Sequence, residues 1–413
     1  MESSCFIISF TPVLHVCVVY LLVHLNFWKK IKMGVAWWNL QSQLLVAIQK
    51  DDVTRAKELL ADGVDCDARF LFGSHRRPAL CLCVERDSLD LVRLLLDWGC
   101  SVNQSDTRGQ TALHLAASRG QFGLLEHLLR SKASVRALDE QKRTPLHWAA
   151  QHTSPEMALL LLQHQAAVDP LDQDGRTPLL LACQNPSSSI TAQQLLRHGA
   201  NARAVDLLGN TALHLATDPP LIRALIASGA AVDACNHAGL TPLHLAVRHT
   251  TSRNEIVSLL AEAGCQVDQP TPLGQTALHT VVQEKDESSA ILLLRYHARP
   301  DTVDRLGLPP LFHAARDGNL RLVQALLAAG AYQTLRDPHS WMRQPHLLAE
   351  IRDKKILQLL QTSGNACPRL TWLARSAFRE HAKEKSSFLA SQLLFPPSLI
   401  QFIDFSDVFE DWI

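Results

Sequence analysis

The sequence lacks an excess of charge of either sign. Lys and Arg number 40, and Asp and Glu number 40, so the formal net charge of the 413 residues at pH 7 is +0. A neutral chain has no overall basic surface for the phosphates of nucleic acid, and we predict no nucleic-acid partner. Hydrophobic residues make up 47% of the chain, which excludes a disordered protein and allows a sizeable core.

Cysteine is scarce, and no two of the cysteines have the Cys-x-x-Cys spacing. This excludes a disulfide scaffold, a zinc ribbon and a thioredoxin-like motif. We interpret Cys81 and Cys83, which one residue separates, as small apolar core residues. Free thiols suit a reducing compartment, so we predict a cytoplasmic protein, with the nucleus as the alternative.

Motifs that carry catalysis or hold cofactors are missing as well. The chain has no Gly-rich phosphate-binding loop, no His-Glu-x-x-His pair and no Ser/His/Asp arrangement. We therefore predict that the chain is not an enzyme and that it holds no metal ion and no cofactor of its own.

An uncharged stretch at residues 5–28 is long enough to cross a bilayer, and the lysines behind it would leave the rest of the chain in the cytoplasm. Pro12 and Asn26 argue against a membrane helix. Two interpretations stay open. Residues 1–32 are either a membrane anchor or an apolar leader upstream of an alternative start at Met33.

A short pattern recurs along the chain at a period of about 33 residues. It reads Thr, then Ala or Pro, then Leu, usually His, and ends in small residues, as in TALHLAA at 111–117 and TPLHLAV at 241–247. The first helices of ten such units are predicted to start at residues 42, 78, 111, 144, 177, 211, 241, 276, 309 and 344. This signature resembles the ankyrin repeat.

The residue types in each unit suit a pair of helices. Thr is a favoured helix N-cap, and Pro is tolerated in the first turn that follows it. Gly ends the second helix in most units, where a left-handed residue is wanted. Lys132, Gln165 and His297 take that place in three units, and we predict that those turns are rebuilt.

No unit can bury its apolar face alone, so neighbouring units must stack into one continuous core. The expected fold is all-α, an ankyrin-repeat solenoid of about nine to ten helix pairs with turn hairpins over residues 40–364, without an active-site cleft. The resemblance implies that the recurring histidines bridge the backbone of neighbouring turns. They are His114, His147, His214, His244 and His279.

Two intervals are irregular. The first contains the apolar sequence Phe70-Leu71-Phe72-Gly73, which we expect to be a loop that contacts a partner or folds onto the array. Another contains Asp218-Pro219-Pro220, which should shorten a turn between helices and perturb the stacking.

Arrays that resemble this one bind proteins through the turn tips and the exposed ends of the first helices. Mixed charge and scattered apolar groups at these positions suit a protein ligand. Carried over by position, the candidates for target binding are Arg108, Arg119, His152, Leu207, Leu208, His249 and Arg305.

After residue 364 the repeat stops, and two short segments with apolar helix faces follow. Residues 365–405 resemble a SOCS box, with 406–413 as a tail, so the whole chain resembles the ankyrin repeat and SOCS box family. The resemblance implies elongin C binding by Leu370, Leu373, Ala374 and Phe378, with Ala374 where the family has Cys. It implies cullin contact by Phe395, Pro396, Pro397, Leu399, Phe402 and Ile403.

These resemblances predict a substrate-recognition subunit of a cullin–RING ubiquitin ligase. The array would hold an unknown target protein, and the SOCS box would recruit elongin C, with elongin B, and a cullin with its RING subunit. The alternative is an ankyrin-repeat scaffold without a role in ubiquitin transfer, including a form that residues 5–28 anchor to a membrane.

Overall fold

A computed structural model describes the part of the chain that holds the repeats, namely residues 40–72, 75–152, 154–248, 252–331, 335 and 341–365. The predicted leader at residues 1–32 and nearly all of the SOCS-box-like segment lie outside these residues. Among the described residues, no helix has the length and apolar character that a membrane crossing requires.

The chain divides into two compact units, Met1–Ala167 and Val168–Ile413. The first unit contains eight described helices: α1 (40–50), α2 (Val53–Ala61), α3 (Ala79–Glu85), α4 (Leu89–Asp97), α5 (Ala112–Arg119), α6 (Phe122–Arg130), α7 (Pro145–Ala150) and α8 (Pro155–Gln163).

The second unit continues the alternation of a first and a second helix. Its described helices are α9 (Pro178–Gln184), α10 (Ser189–Arg197), α11 (Ala212–Leu215), α12 (Pro219–Ala227), α13 (Pro242–Ala246), α14 (Arg253–Glu262), α15 (Ala277–Gln283), α16 (Glu287–Arg295), α17 (Pro310–Arg316), α18 (Leu320–Ala329), α19 (Pro345–Leu348) and α20 (Lys354–Asn365). Two short 3₁₀ helices also occur, at Pro186–Ser188 and Trp341–Arg343.

From the second pair onward, the first helix of each pair begins where the sequence predicted. After α1, which is helical from at least residue 40, the N-cap residues of the first helices are Pro78, Thr111, Thr144, Thr177, Thr211, Thr241, Thr276, Pro309 and Gln344. The described part of the chain therefore holds ten helix pairs, and the prediction of an all-α repeat array is confirmed.

Within each unit the helices form two layers. In the first unit α5 packs on α3 and α7, while α6 packs on α4 and α8. In the second unit α15 packs on α13 and α17, and α16 packs on α14 and α18. Small residues such as Ala116 and Ala149 are fully buried, which lets neighbouring first helices approach closely.

The apolar sequence in the first long interval forms a hairpin of two strands and not a loop. Strand β1 (Arg69–Phe72) pairs antiparallel with β2 (His75–Pro78), with Phe70 opposite Arg77. Phe70 is 7% exposed, whereas the next side chain, Leu71, is 69% exposed. The alternation of a strand thus buries one apolar side chain in the array and leaves its neighbour in water.

The two prolines in the shortest interval limit the helix before them. Helix α11 has only four residues, and Ala216 already has the extended backbone angles φ −73° and ψ 132°. Asp218 is extended as well, as a residue before proline must be, and Pro219 opens α12. The predicted shortening is present, and it affects the first helix as well as the turn.

The three turns without glycine are not rebuilt, so that prediction is wrong. Lys132, Gln165 and His297 adopt φ angles of 62°, 62° and 65°, in the region that Gly99 occupies at φ 85°. The reason is a hydrogen bond that only this geometry allows, such as the one that the Ala133 N–H donates to the Leu128 carbonyl at 3.0 Å. The turns keep their hydrogen bonds and accept the backbone strain.

Replacing Lys132 by glycine should therefore stabilise the protein. A left-handed non-glycine residue costs about 1–2 kcal/mol, and the larger entropy of an unfolded glycine cancels part of the gain. We expect Lys132→Gly to raise the free energy of unfolding by about 0.5–1 kcal/mol in urea denaturation. Lys132→Ala keeps the strain and should give no gain. A less stable Lys132→Gly protein would contradict this account.

Candidate protein-binding surface

Most of the described hairpin tips are shaped by one Asp or Asn side chain at their start, whereas the tip that carries Leu273 starts with Thr271, whose hydroxyl accepts the Gln275 N–H at 3.2 Å. Asp206 accepts two backbone hydrogen bonds, from the Leu208 N–H at 2.9 Å and from the Asn210 N–H at 2.7 Å. The same two bonds, to the second and fourth residues that follow, are made by Asp106, Asp139, Asp172, Asn236 and Asp304. Short polar side chains favour such turns because they replace backbone acceptors. The tip side chains are therefore presented from a fixed backbone.

Backbone hydrogen bonds also join tips that are neighbours within one unit. In the first unit the Glu140 N–H donates to the Arg108 carbonyl at 2.9 Å. In the second unit the same bond occurs three times, from Leu207 to Asp174 at 2.9 Å, from His237 to Leu208 at 2.9 Å and from Arg305 to Leu273 at 3.1 Å. In the second unit these bonds join the tips in two runs, from Asp174 to His237 and from Leu273 to Arg305, and Pro272 lies against Gly239 where the runs meet. The tips of the unit thus line one edge.

Large apolar side chains project from this edge in the second unit. Leu207, Leu208, Leu273 and Leu306 are 65%, 66%, 60% and 80% exposed. Three of them, Leu208, Leu273 and Leu306, stand directly before the tip glycine of their repeats. Apolar side chains gathered on one edge of a protein typically mark a site where another protein binds. We call these four residues the leucine edge.

The structure places the sequence-predicted target-binding residues differently in the two units. Leu207, Leu208 and Arg305 are exposed at second-unit tips, and Arg108 is exposed at a first-unit tip. Arg119 is exposed, but its Nη1 donates to the Glu85 carbonyl at 2.6 Å. His152 is half-buried and lies against Gly120. His249 lies outside the described residues.

Of the leucine edge, only Leu207 and Leu208 were among the predicted target-binding residues. The signal for the other two was present in the sequence, because Leu273 precedes Gly274 and Leu306 precedes Gly307 as Leu208 precedes Gly209. The repeat that contains Leu306 lacks the Thr-x-Leu-His pattern, so the alignment of its tip with the other tips was less evident.

The recurring histidines are part of the scaffold of this surface. His114 Nδ1 accepts the Thr111 N–H at 3.1 Å, and His114 Nε2 lies 3.0 Å from the carbonyl of Arg143 in the next repeat. His214 and His279 make the same pair of contacts, with Leu240 and Leu308 as the acceptors in the next repeat. The predicted structural role is confirmed for these three residues.

Burial keeps these imidazoles neutral. It lowers the pKa of His114, His214 and His244, and it lowers the pKa of His279 to about 4. Hydrogen bonds to carbonyls of the next repeat offset only part of this effect. Because Nδ1 faces an N–H group, we assign the single proton to Nε2, where it bonds the carbonyl.

The ninth helix pair departs from this arrangement, because its buried histidine contacts the tip of its own repeat. Pro309 replaces the usual Thr, Phe312 takes the place of the histidine, and both Phe312 and the following His313 are buried. His313 Nε2 lies 3.2 Å from an Asp304 carboxylate oxygen, so it links α17 to the tip that Asp304 shapes. Burial lowers the pKa of His313 although this carboxylate opposes the shift.

Comparison with protein-family models gives one match. The model described as ankyrin repeats (3 copies) matches residues 44–139, 80–172, 113–206, 164–225, 187–271 and 217–304. These overlapping matches span residues 44–304, which is more than half of the chain. A comparison with curated proteins found no match.

Proposed function

Because the chain belongs to the ankyrin repeat family, we propose that it is a protein-binding adaptor that brings a target to a cullin–RING ubiquitin ligase. The array would bind the target, and residues 365–405 would recruit elongin C, with elongin B, and a cullin. The observation that carries the target-binding part is the leucine edge on hydrogen-bonded tips. The ligase part rests on the sequence of the tail.

The fixed tips support tight binding of a protein. A backbone that is already held in place loses little freedom on association, so more of the energy of burying its side chains appears as affinity. Leucines that leave water on binding contribute in proportion to the apolar area they bury. The leucine edge therefore has the chemistry of the apolar centre of an interface, with Arg305 beside it at the rim.

The tail supports recruitment of the ligase through its spacing of apolar residues. Leu370, Leu373, Ala374 and Phe378 would share one helix face, since they are separated by three or four positions. Ala374 is smaller than the Cys it would replace and keeps the shape of that face. The second apolar set would meet the cullin through Phe395, Pro396, Pro397, Leu399, Phe402 and Ile403.

In this mechanism the chain supplies proximity and the RING subunit with its conjugating enzyme supplies the chemistry. Binding the target and the ligase at once turns the encounter between them into an intramolecular one, which raises their effective concentration. No side chain of this chain is required to take part in ubiquitin transfer.

Elongin binding tests the ligase part with a defined partner. We expect purified full-length chain to bind elongin B–C, and Leu370→Ala to weaken that binding by about 2 kcal/mol if Leu370 is a hot spot. Leu207→Ser, at the other functional surface, should leave the affinity for elongin B–C unchanged. Calorimetry or surface plasmon resonance measures the affinity of all three proteins for elongin B–C.

The cullin contact is tested on the preformed complex with elongin B–C. Phe402→Ala should leave elongin binding intact and remove binding of the cullin. If the wild-type chain fails to bind elongin B–C while an established SOCS-box protein binds in the same assay, the ligase proposal is wrong. The chain would then be an ankyrin-repeat scaffold.

The target-binding part is tested by comparing partners that are recovered from cells. A variant with both Leu207→Ser and Leu208→Ser should lose a specific partner by about tenfold or more, since each truncated hot-spot leucine costs over 1 kcal/mol. Val46→Ser is a matched control, because Val46 is 45% exposed on α1 in the other unit. Equal recovery with all three proteins would count against the leucine edge.

A further inference from the structure

Two cysteines and one aspartate converge in the first unit. The thiol sulfurs of Cys66 and Cys100 and a carboxylate oxygen of Asp67 all lie within 4.8 Å of one another. Cys100 Sγ lies 3.2 Å from Asp67 Oδ1 and 3.3 Å from the Cys66 carbonyl oxygen. We call these three residues the thiol cluster.

The cluster arises from stacking of repeats and not from a local motif. Cys66 and Asp67 follow α2, and Cys100 follows α4 one repeat later. Asp67 Oδ1 also accepts the Ser101 N–H at 2.8 Å, which fixes the carboxylate against the next repeat. The absence of a Cys-x-x-Cys pair excludes a zinc ribbon, but a motif of that kind includes only residues that are close in sequence.

An equivalent position in the second unit shows what is unusual here. Asp233 occupies the place of Asp67 and accepts the Gln266 N–H at 2.7 Å, and Cys265 occupies the place of Cys100. Val232 stands where the first unit has Cys66. The bond from the carboxylate to the next repeat is thus a common feature of the array, and the second thiol is the addition.

The geometry points to a Zn²⁺ site formed by Cys66, Asp67 and Cys100, and we propose that zinc binds there. Zinc takes thiolate sulfur at about 2.3 Å and carboxylate oxygen at about 2.0–2.2 Å, which in a tetrahedron sets ligand atoms about 3.5–3.8 Å apart. The three atoms lie within 4.8 Å of one another, so the widest pair exceeds this spacing by at most about 1 Å. Two sulfur ligands favour zinc over calcium or magnesium, which prefer oxygen.

The fourth ligand of a tetrahedral site would be water. Cys66 and Asp67 are only half-buried, so the ion can enter from solvent and keep one water molecule. The site would therefore have three protein ligands from two adjacent repeats, and a single ion would connect the segment after α2 with the segment after α4.

Zinc binding must release protons from the cluster. A free cysteine thiol has an ordinary pKa of about 8.5, so both sulfurs carry a proton at neutral pH before the ion arrives. Each Zn–S bond replaces one S–H bond, and two protons pass to solvent. The affinity should therefore fall as the pH falls, by up to about 100-fold per pH unit.

The consequence would be a clamp at the start of the array. Helix α2 packs on α4 of the next repeat, and in a stacked array each repeat is stabilised by its neighbours. An ion that joins α2 to the following pair would reduce local opening there. Amide hydrogen exchange in residues 40–61 should slow when zinc is added.

The test uses reduced, metal-free full-length chain titrated with Zn²⁺ in competition with a chelator. We expect one ion per chain, and loss of about 100-fold or more in affinity for Cys66→Ser and for Cys100→Ser. Asp67→Asn preserves an acceptor for the Ser101 N–H, as Asn103 does for the Ser134 N–H at 2.7 Å. It should fold normally and bind zinc about tenfold more weakly or worse.

Cys265→Ser is the matched control, because Cys265 has the same place in its repeat as Cys100, and Val232 stands where the first unit has Cys66. It should bind zinc as the wild-type chain does. Co²⁺ provides a second measurement, since its charge-transfer absorption reports thiolate ligands and should disappear in Cys66→Ser. If Cys66→Ser binds zinc as tightly as the wild-type chain, or zinc does not slow exchange in residues 40–61, the proposal is overturned.

Discussion

Acidification from pH 7 to pH 5 is expected to lower the free energy of unfolding, because the buried histidines that cap the first helices cannot accept a proton while the protein is folded. For His279, whose pKa falls from an ordinary value near 6.5 to about 4 in the folded protein, the loss is about 2 kcal/mol at pH 5. Urea denaturation at the two pH values measures it.

The sign follows from where the proton binds. Between pH 6.5 and pH 4 an unfolded His279 takes up a proton and the folded one does not, so falling pH favours the unfolded state. The stabilisation is complete above pH 6.5 and is lost progressively below it. His114, His214, His244 and His313 have pKa values lowered in the same direction, so each adds to the loss.

Substituting His279 alone measures how much of the loss of unfolding free energy between pH 7 and pH 5 comes from this histidine. His279→Leu places at residue 279 the residue type that the chain itself has at Leu180, in the repeat that Thr177 caps. This variant should be less stable at pH 7, because the Leu308 carbonyl and the Thr276 N–H lose their partner. Its further loss on going to pH 5 should be smaller than that of the wild-type chain by about 2 kcal/mol.

A control variant separates this effect from general acid sensitivity. His164 is exposed, so His164→Gln should show the same loss between pH 7 and pH 5 as the wild-type chain. If His279→Leu and the wild-type chain lose the same free energy between these pH values, the capping histidines do not cause the acid sensitivity.

The helix starts could be predicted from sequence because they depend on local chemistry. Thr111 and the residues after it carry the cap, the first turn and the bridging histidine within four positions, so a short pattern contains the whole arrangement. The same pattern recurs with its spacing, which made the ten helix pairs evident. Where the pattern weakened, at Pro309, the helix start was still located by the period.

The features that sequence reasoning missed depend on contacts between repeats. The left-handed turns at Lys132, Gln165 and His297 kept their form because hydrogen bonds to the preceding helix outweigh the strain of a side chain there. The strand pair around Phe70 arises because burial of one ring favours an extended backbone. Residue type alone does not show that hydrogen bonds outweigh backbone strain in these turns, or that burial of Phe70 favours a strand over a loop.

The thiol cluster and the leucine edge show the same limit at the level of sites. Cys66 and Cys100 meet only because one repeat stacks on the next, and Leu306 joins Leu273 for the same reason. In a repeat protein, residues about 33 positions apart are neighbours, so sites should be sought at that separation as well as in short motifs.

Gly274→Ala is expected to destabilise the protein by about 3 kcal/mol, because the tips leave no room for a side chain between them. Gly274 has φ 75°, and an added Cβ would lie 2.8 Å from the Arg305 backbone nitrogen and 3.0 Å from the Asp304 carbonyl carbon. It would therefore push apart the hydrogen bond that the Arg305 N–H donates to Leu273.

Gly264→Ala is the matched control within the same unit. Gly264 has φ 83°, and no described atom would lie within 4 Å of a Cβ added there. It should cost only the backbone strain, about 1–2 kcal/mol. The difference between the unfolding free energies of the two variants in urea denaturation measures the effect of the contact between tips. Equal losses of free energy would mean that the neighbouring tip shifts without destabilising the protein.

The same pair of variants connects stability with binding. Gly274→Ala must displace the backbone between Leu273 and Leu306, two members of the leucine edge, while Gly264→Ala adds its methyl group after α14 and leaves the tip-to-tip hydrogen bond in place. If the edge binds its partner as a rigid surface, Gly274→Ala should weaken that binding more than Gly264→Ala, at a temperature where both variants are folded. Equal affinities would show that the partner does not depend on the spacing of the tips.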